Sequence, residues 1–369
     1  MSFSNFKKTF IGIKLRELRY RYIYKNTDTG IKRALERYKK CTNKKPMKQI
    51  KKEIALCKKY WGFYPFHYFR YNLYKKDKDL KQKDLLNYVP EFYFYNLLIN
   101  ENYNKKYSVL LSDKNLTEDL FRSRNIKQPE TIGKVVGGNL YDNCWNSLGF
   151  NEFIEKLIIR KPNKIFIKPA NGYGGSGIYI FNREKDYFIN KAGDILDEKF
   201  LTDISIKSDY IIQCGLKQQE HISRIYDKSI NTFRIATENI KGKVRVVCAT
   251  LRFGKDGKEV DNSGQNGIIL GIDELNGKCK EFAITEQEDI YYKHPDSGFE
   301  FKNINLKQWD DLKKFAEESA RKLPEFTYIG WDIALTDEGP IAIEANLEFG
   351  LDHFQVTLGG VKEKFRIKI

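Results

Sequence analysis

The sequence has no C-x-x-C pair, and its six cysteines, Cys41, Cys57, Cys144, Cys214, Cys248 and Cys279, follow no regular spacing. That scatter argues against a disulfide framework and a zinc site, and suits a reducing compartment where thiols act as small buried hydrophobes. No apolar run reaches the length of a membrane span, and the N-terminus lacks the continuous apolar core of a secretory signal. The expectation is a cytoplasmic protein, at most peripheral at the inner face of a membrane. There are only four histidines, and no Ser/His/Asp arrangement can be argued from them. His221 and His294 fall near the candidate site described below, but a lone histidine is more often a structural donor than a catalyst; His67 and His353 read as packing residues. Acidic residues are also in deficit. Lys and Arg outnumber Asp and Glu by 65 to 49, giving a net charge of +16. Such a balance favours anionic partners, such as nucleotides, acidic sugars, nucleic acid or an anionic membrane, without choosing among them.

Glycine is sparse over roughly the first hundred residues, where Tyr, Phe, Lys and Arg dominate. Phe3, Phe6, Phe10, Ile13 and Leu18 recur at near-helical spacing with Lys7, Lys8, Lys14, Arg16 and Arg19 between them, predicting a basic amphipathic helix. It could lie on an anionic membrane, hold an acidic partner, or pack on the protein itself. Helices are predicted over Ile31–Lys40 and Pro46–Trp61, and the aromatic stretch Tyr60–Tyr74 reads as core or interdomain seam. The texture changes near Tyr107, giving an expected division into 1–106, a helical basic region, and 107–369. The second part divides further into 107–212, a first lobe, and 213–369, a second lobe. At its start Ser108–Leu111 reads as a strand and Ser112-Asp113 as the cap of a helix over Lys114–Arg124.

The most informative stretch is K-I-F-I-K-P-A-N-G-Y-G-G-S-G-I-Y-I-F, Lys164 to Phe181. Both flanks carry β-branched and aromatic residues, so the glycines lie between two strands. Gly172, Gly174 and Gly177 spell G-x-G-x-x-G, but a dinucleotide-binding turn must open a helix, and I-Y-I-F follows instead. A Walker A loop would end in Gly-Lys-Ser/Thr, and a protein kinase places its lysine on a later strand. What remains is a hairpin lid of backbone N–H groups, Gly172, Gly174, Gly175, Ser176 and Gly177, that can close over phosphates, with Lys168 on the supporting strand to pair with their charge. The alternative is a hairpin that needs positive φ and binds nothing.

Downstream, Tyr210-Ile211-Ile212-Gln213 is an apolar strand leaving through a linker, and Gln213–Leu216 is a candidate adenine contact. Ile230–Thr237 and Val244–Arg252 alternate as paired strands around Lys241-Gly242, with Asn231 and Arg234 on different faces of the first. Another strand ends at Ile272, and a helix is expected over Leu306–Lys322. The final hairpin joins Tyr328–Leu335 to Ile341–Ala345 through Asp337–Pro340. It carries Asp332 in an apolar strand and Glu344 and Asn346 two residues apart on its neighbour. Carboxylates in such strands are costly unless paired or metal-bound, and three oxygen ligands of this type suit Mg²⁺; a salt-bridged pair is the other reading.

The order Asp113-Lys114, Ile-Lys-Pro with Gly-x-Gly-Gly-x-Gly, Gln213, Asn-Thr-x-Arg, Asp332 and Glu-x-Asn resembles the ATP-grasp superfamily over about Ser108 to Phe354. More narrowly, Gln213, His221, Asn231-Thr232-Phe233-Arg234, Arg252-Phe253-Gly254, Asp261-Asn262, Gly-Trp-Asp-Ile-Ala and Ile-Glu-Ala-Asn are similar to the ATP-grasp group associated with bacterial sugar transfer and surface polysaccharide clusters. The resemblance implies an α+β fold in which two α/β lobes grip ATP. It also implies an ADP-forming carboxylate–amine ligase that makes a C–N bond through an acyl phosphate. Residue by residue, Lys114 and Lys168 would contact ATP phosphates or the adenine edge, and the loop Gly172–Gly177 would cover the phosphates. Gln213, where many relatives have Glu, and Leu216 would line the adenine pocket, and Gln219 or Glu220 would meet the ribose. Asp332, Glu344 and Asn346 would hold Mg²⁺, while Arg234 with Arg252 behind it stabilises charge on the acyl phosphate, and Asn231 joins them as a candidate catalytic side chain. The substrates implied are a carboxylate and an amine, plausibly glycan-linked. Two other readings are a ligase of amino acids or peptide ends and a nucleotide- or nucleic-acid-binding protein without catalysis.

Overall fold

The computed structural model describes residues 10–27, 29–99, 106–172, 175–261 and 267–369. The chain forms two compact units: 1–102 with 286–289 and 350–369, and 103–285 with 290–349. The expected boundary at 106/107 left the chain's end with the second part; here 350–369 belong to the first unit.

The first unit is helical. Helices α1 (Phe10–Thr27), α2 (Thr29–Lys40), α3 (Met47–Trp61) and α4 (Phe66–Arg70) follow one another, close to the predicted bounds for α2 and α3. Proline precedes α3, and Gly62 ends it in the left-handed region with its N–H on the Lys58 carbonyl, the expected glycine stop. Trp61, Phe66, Tyr68, Phe69, Tyr71 and Tyr74 are buried, so the aromatic stretch is core. The helix Asp352–Leu358 joins this unit: Gln355 bonds both the N–H and the carbonyl of Val89, and Arg70 meets Asp352 at 2.7 Å. The expected apolar face of the first helix is corrected. Phe3 and Phe6 lie outside the described residues, Leu18 is exposed, and the helix turns Gly12 and Glu17 inward. Glu17 accepts from the Tyr64 N–H at 3.1 Å, so a backbone requirement, not hydrophobic burial, sets its rotation.

The second unit contains two antiparallel sheets. Strands β1 (Thr131–Val136), β2 (Asn139–Tyr141), β3 (Lys164–Pro169), β4 (Tyr179–Glu184), β5 (Tyr187–Asn190) and β6 (Tyr210–Cys214) form the first, in the order β2-β1-β6-β3-β4-β5. Strands β7 (Phe233–Ile240), β8 (Lys243–Phe253), β9 (Ile268–Ile272), β10 (Cys279–Ile284), β11 (Ile290–Tyr291), β12 (Tyr328–Thr336) and β13 (Gly339–Asn346) form the second, in the order β11-β10-β9-β8-β7-β12-β13. The β7–β8 turn places Lys241 and Gly242 at φ 52° and 81°, the left-handed pair that a two-residue hairpin requires. Asn231 precedes β7, so its expected place on that strand is corrected.

Each sheet has one apolar face. Ile165 and Ile167 of β3 and Ile212 of β6 pack with Phe153 and Leu157 of helix α6 (Phe150–Arg160), which leaves Phe166, Lys168 and Gln213 on the other face. In the second sheet Trp331 and Ile333 of β12 pack with Leu312 and Ala316 of α7 (Trp309–Arg321), which leaves Asp332 on the opposite face. The strand expected over Ser108–Leu111 is a helical turn instead, Val109–Ser112. It leads into α5 (Lys114–Ser123), whose cap Asp113 accepts from the N–H groups of Asn115 and Leu116. Of the four residues Ser108–Leu111 only Val109 is β-branched, too little to outweigh the adjoining helix start, which fixes the chain direction there.

Candidate active site

Register builds the charged face. Thr250 of β8, Arg234 of β7, Asp332 of β12 and Glu344 of β13 stand directly opposite one another across four strands, so their side chains project to one side. Arg252 and Asn346 lie two residues on from Thr250 and Glu344 and share that side. Asp332, 4% exposed, accepts from Arg234 Nε at 2.5 Å on Oδ1 and from the same guanidinium at 3.0 Å on Oδ2. Arg252 meets Oδ1 at 3.2 Å. Burial opposes the charge on Arg252, yet Asp332, Asp261 and Glu344 outweigh it and raise its pKa. Asp261 also holds Thr232, accepting from its backbone N–H at 2.9 Å, and the Thr232 hydroxyl accepts from Arg252 at 3.0 and 2.6 Å. Asp261 and Thr232 thus hold Arg252 in place, a role that sequence reasoning quoted as motif without assigning; Asn262 beside it lies outside the described residues.

The other face of the site comes from the first sheet. Lys168 donates to Gln213 Oε1 at 3.0 Å, and Gln213 Nε2 reaches the Thr131 hydroxyl at 3.4 Å. Burial pushes the Lys168 ammonium down to about 8, with Glu344 pulling it up and Lys114 pushing it down. The three side chains are therefore electrostatic neighbours although they come from β3, β13 and the start of α5. Lys114 Nζ donates to the Gly172 carbonyl at 2.9 Å and meets Glu344 Oε1 at 3.4 Å, while its backbone N–H donates to the Ala170 carbonyl at 2.9 Å. Glu344 Oε2 accepts from Asn346 Nδ2 at 3.4 Å. Four cations, Lys114, Lys168, Arg234 and Arg252, face three carboxylates, Asp332, Glu344 and Asp261, a surplus of positive charge that suits a polyanion.

Above them the glycine loop joins β3 and β4, which pair from Lys164↔Asn182 to Ile167↔Tyr179. Gly175 and Gly177 take φ of 72° and 74°, Ser176 is exposed between them, and Gly174 lies outside the described residues. Asn171 Nδ2 donates to Asp113 at 3.1 Å, tying the loop's base to the cap of α5.

Beside the linker lies a cavity of about 530 Å³ lined by Lys164, Phe166, Leu216, Glu220 and Glu259, among others. Lys164 and Phe166 alternate with the core residues of β3, so the two-residue period from Lys168 already marked them. Gly215 crosses β3 with its N–H on the Lys164 carbonyl at 2.8 Å, and a Cβ there would stand 2.8 Å from that lysine's own. Glu220 is exposed and pairs with Arg224, while Gln219 donates to the Thr336 carbonyl at 3.0 Å.

Asn231 stands apart from the charged row. It is fully buried and donates to the carbonyls of Ile222 and Tyr226 at 3.1 and 2.8 Å, holding a loop. His294 is buried, 2.9 Å from the Gly254 carbonyl and stacked on Tyr226; burial lowers its pKa, as it does for His221.

A sequence profile described as Sugar-transfer associated ATP-grasp matches residues 94–365. The chain belongs to this ATP-grasp family. Solved structures similar to this ATP-grasp chain include D-alanine–D-alanine ligase from Bacillus anthracis, at 14% identity, 70% of this chain, 63% of that one and TM-score 0.38. Biotin carboxylase from Campylobacter jejuni follows at 11% identity, 70% and 46% coverage and TM-score 0.42. The L-amino acid ligase from Bacillus licheniformis has 12% identity, 70% and 45% coverage and TM-score 0.38. The ATP-grasp chain therefore spans less than two thirds of each. No curated protein matches it. Among the described residues no helix is long and apolar enough to cross a membrane.

Proposed function

We propose that this ATP-grasp protein is an ATP-dependent carboxylate–amine ligase, attaching an amino compound or amino acid to a carboxylate during bacterial surface polysaccharide synthesis. The observation that carries the reading is the convergence of Lys114, Lys168, Arg234 and Arg252 on Glu344 and Asp332 beneath a glycine hairpin. Lys168 and Lys114 hold the triphosphate, Gly172, Gly174, Gly175, Ser176 and Gly177 cover it, and the cavity by Phe166, Leu216 and Glu220 takes the adenosine end. A carboxylate oxygen of the acid attacks the γ-phosphorus, and ADP leaves. The amine nitrogen then attacks the acyl carbon, phosphate leaves, and the amine loses a proton. Arg234, backed by Arg252, faces the charge that grows on the acyl phosphate.

Glu344 suits a hard cation, since among the described residues its contacts are long, at 3.4 Å, and Asn346 shares its side of the hairpin, whereas both oxygens of Asp332 are held by Arg234. Glu344 and Asn346, with Asp332 once Arg234 releases it, would hold Mg²⁺, which would supply neutralisation of phosphate charge. The test supplies candidate uronic and amino acids with hydroxylamine in place of the amine. A hydroxamate with ADP is expected; AMP and pyrophosphate would mean adenylation and end the proposal.

The same protein works at an anionic membrane surface in this reading. On α1, Ile11, Leu15, Leu18 and Tyr22 are exposed at 64%, 54%, 56% and 74%. Their spacing puts them in one stripe, flanked by Lys14, Arg19 and Arg21. Leu15→Glu with Leu18→Glu should abolish sedimentation with phosphatidylglycerol vesicles while leaving the fold intact. Unchanged sedimentation refutes the contact.

A further inference from the structure

Residues 1–102 carry 25 basic and 9 acidic side chains, which is the whole net charge of +16; residues 103–369 carry 40 of each. Within the first unit α3 concentrates that excess. Its charged residues are Lys48, Lys51, Lys52, Lys58, Lys59 and one carboxylate, Glu53. At 3.6 residues per turn the five lysines fall within an arc of about 120° and extend about 16 Å along the axis. All five are exposed, and Ala55 is the remaining residue on the arc. The opposite side of the helix is held in the core by Ile50, Cys57 and Trp61.

Glu53 turns toward that inner side and is occupied, accepting from Lys45 at 3.0 Å, Gln49 at 2.9 Å and Tyr68 at 2.6 Å. Among the described residues none of the five lysines meets a carboxylate within ion-pair distance. The arrangement is unfavourable for the helix alone. Lys48 faces Lys51 and Lys52 as like charges at i, i+3 and i, i+4, and it stands in the first turn, at the positive end of the helix dipole, where no acid offsets it. An anionic surface laid along the face removes that repulsion.

We infer that the lysine face of α3 rests on anionic phospholipid headgroups, a membrane contact additional to the α1 stripe and independent of the ligase reading. A bilayer surface offers many phosphates in one plane without fixed directions. That suits five ammonium groups on a straight helix face, since ammonium is a compact charge with no forked geometry to satisfy. A single-stranded nucleic acid ordinarily adds stacking rings, and the arc has none. Each lysine close to an anionic leaflet is worth about fivefold in affinity. Peripheral binding combines buried apolar area with electrostatic attraction, so the stripe of α1 and the face of α3 contribute to the same partition.

The full chain is sedimented with vesicles of phosphatidylglycerol and phosphatidylcholine, one to two, over a range of lipid concentrations. Lys48→Gln, Lys51→Gln, Lys52→Gln, Lys58→Gln and Lys59→Gln together should weaken partitioning about a hundredfold or more, while Arg at the same five positions should preserve it. Lys199→Gln, Lys207→Gln, Lys243→Gln, Lys280→Gln and Lys314→Gln remove as much charge from exposed positions of the second unit and should have little effect, which separates location from total charge. The Gln set on α3 should melt no lower than wild type, because like-charge repulsion is removed. Equal losses from the two Gln sets overturn the contact, as does absence of wild-type sedimentation. So does an α3 set that binds like wild type while Leu15→Glu with Leu18→Glu does not; the reverse pattern removes the α1 contact and leaves this one standing. Binding to polyuridylate lost in the α3 set, with vesicle binding retained, would assign the face to nucleic acid and overturn the membrane contact.

Discussion

The proposed nucleotide site is tested most directly at Lys168. Its ammonium is held near 8 against an ordinary 10.5, so the folded protein carries a charge made unfavourable by about 3 kcal/mol. A triphosphate set against it restores the solvation that burial removed and raises the pKa, so binding recruits the protonated form. The direction follows. Below pH 8 the free protein is already protonated and affinity is flat; above pH 8 each binding event must take up a proton and affinity falls. A group with this pKa is about 90% protonated at pH 7 and about 10% at pH 9, which predicts MgATP binding about tenfold weaker at pH 9. Isothermal titration at pH 8 in buffers of different ionisation enthalpy should show about half a proton taken up per ATP, and Lys168→Met should abolish both effects. The same lysine acts oppositely on stability. Because its folded pKa lies below the unfolded one, the unfolded chain binds more protons between pH 8 and 10.5, so its contribution to stability rises with pH there, and Lys168→Met should stabilise the fold at pH 7 by up to about 3 kcal/mol. Affinity independent of pH from 7 to 9, with no proton uptake, would refute the placement of Lys168 against phosphate.

Two further substitutions separate fold from chemistry. Glu344→Gln should lower turnover far more than stability, because its partly exposed pairing with Lys114 is worth less than about 1 kcal/mol; comparable losses in turnover and urea midpoint would contradict it. Removing that carboxylate should also lower the pKa of Lys168 further, moving the loss of ATP affinity to below pH 8. Asp332→Asn should instead destabilise by about 3–5 kcal/mol, since Arg234 would be left buried without its counter-charge and Arg252 would keep Asp261 at 3.7 Å; a melting temperature unchanged from wild type would show that the Arg234 pair carries no stability.

Much of the second unit was legible in the chain itself. Alternation along β12 and β13 placed Asp332, Glu344 and Asn346 on one side, because a strand's side chains have a period of two and the short turn leaves little freedom of register. The glycine stretch was readable as a hairpin because the lysine preceded it and a strand followed. Its neighbours were not: that Asp332 lies across from Arg234, and that Lys114 reaches both Gly172 and Glu344 from α5, depend on strand order and on contacts between residues far apart in the chain. The local reading also failed at Ser108–Leu111, an apolar run with a single β-branched residue that the capped helix following it draws into a helical turn, and along α1, where the backbone N–H of Tyr64 claims Glu17 and leaves the apolar stripe outside. The sequence by itself determined which groups could bind a polyanion, since charge, glycine placement and periodicity are properties of short segments. Only the tertiary structure decided which of those groups meet, because burial, counter-charge and desolvation belong to neighbours that the chain order does not name.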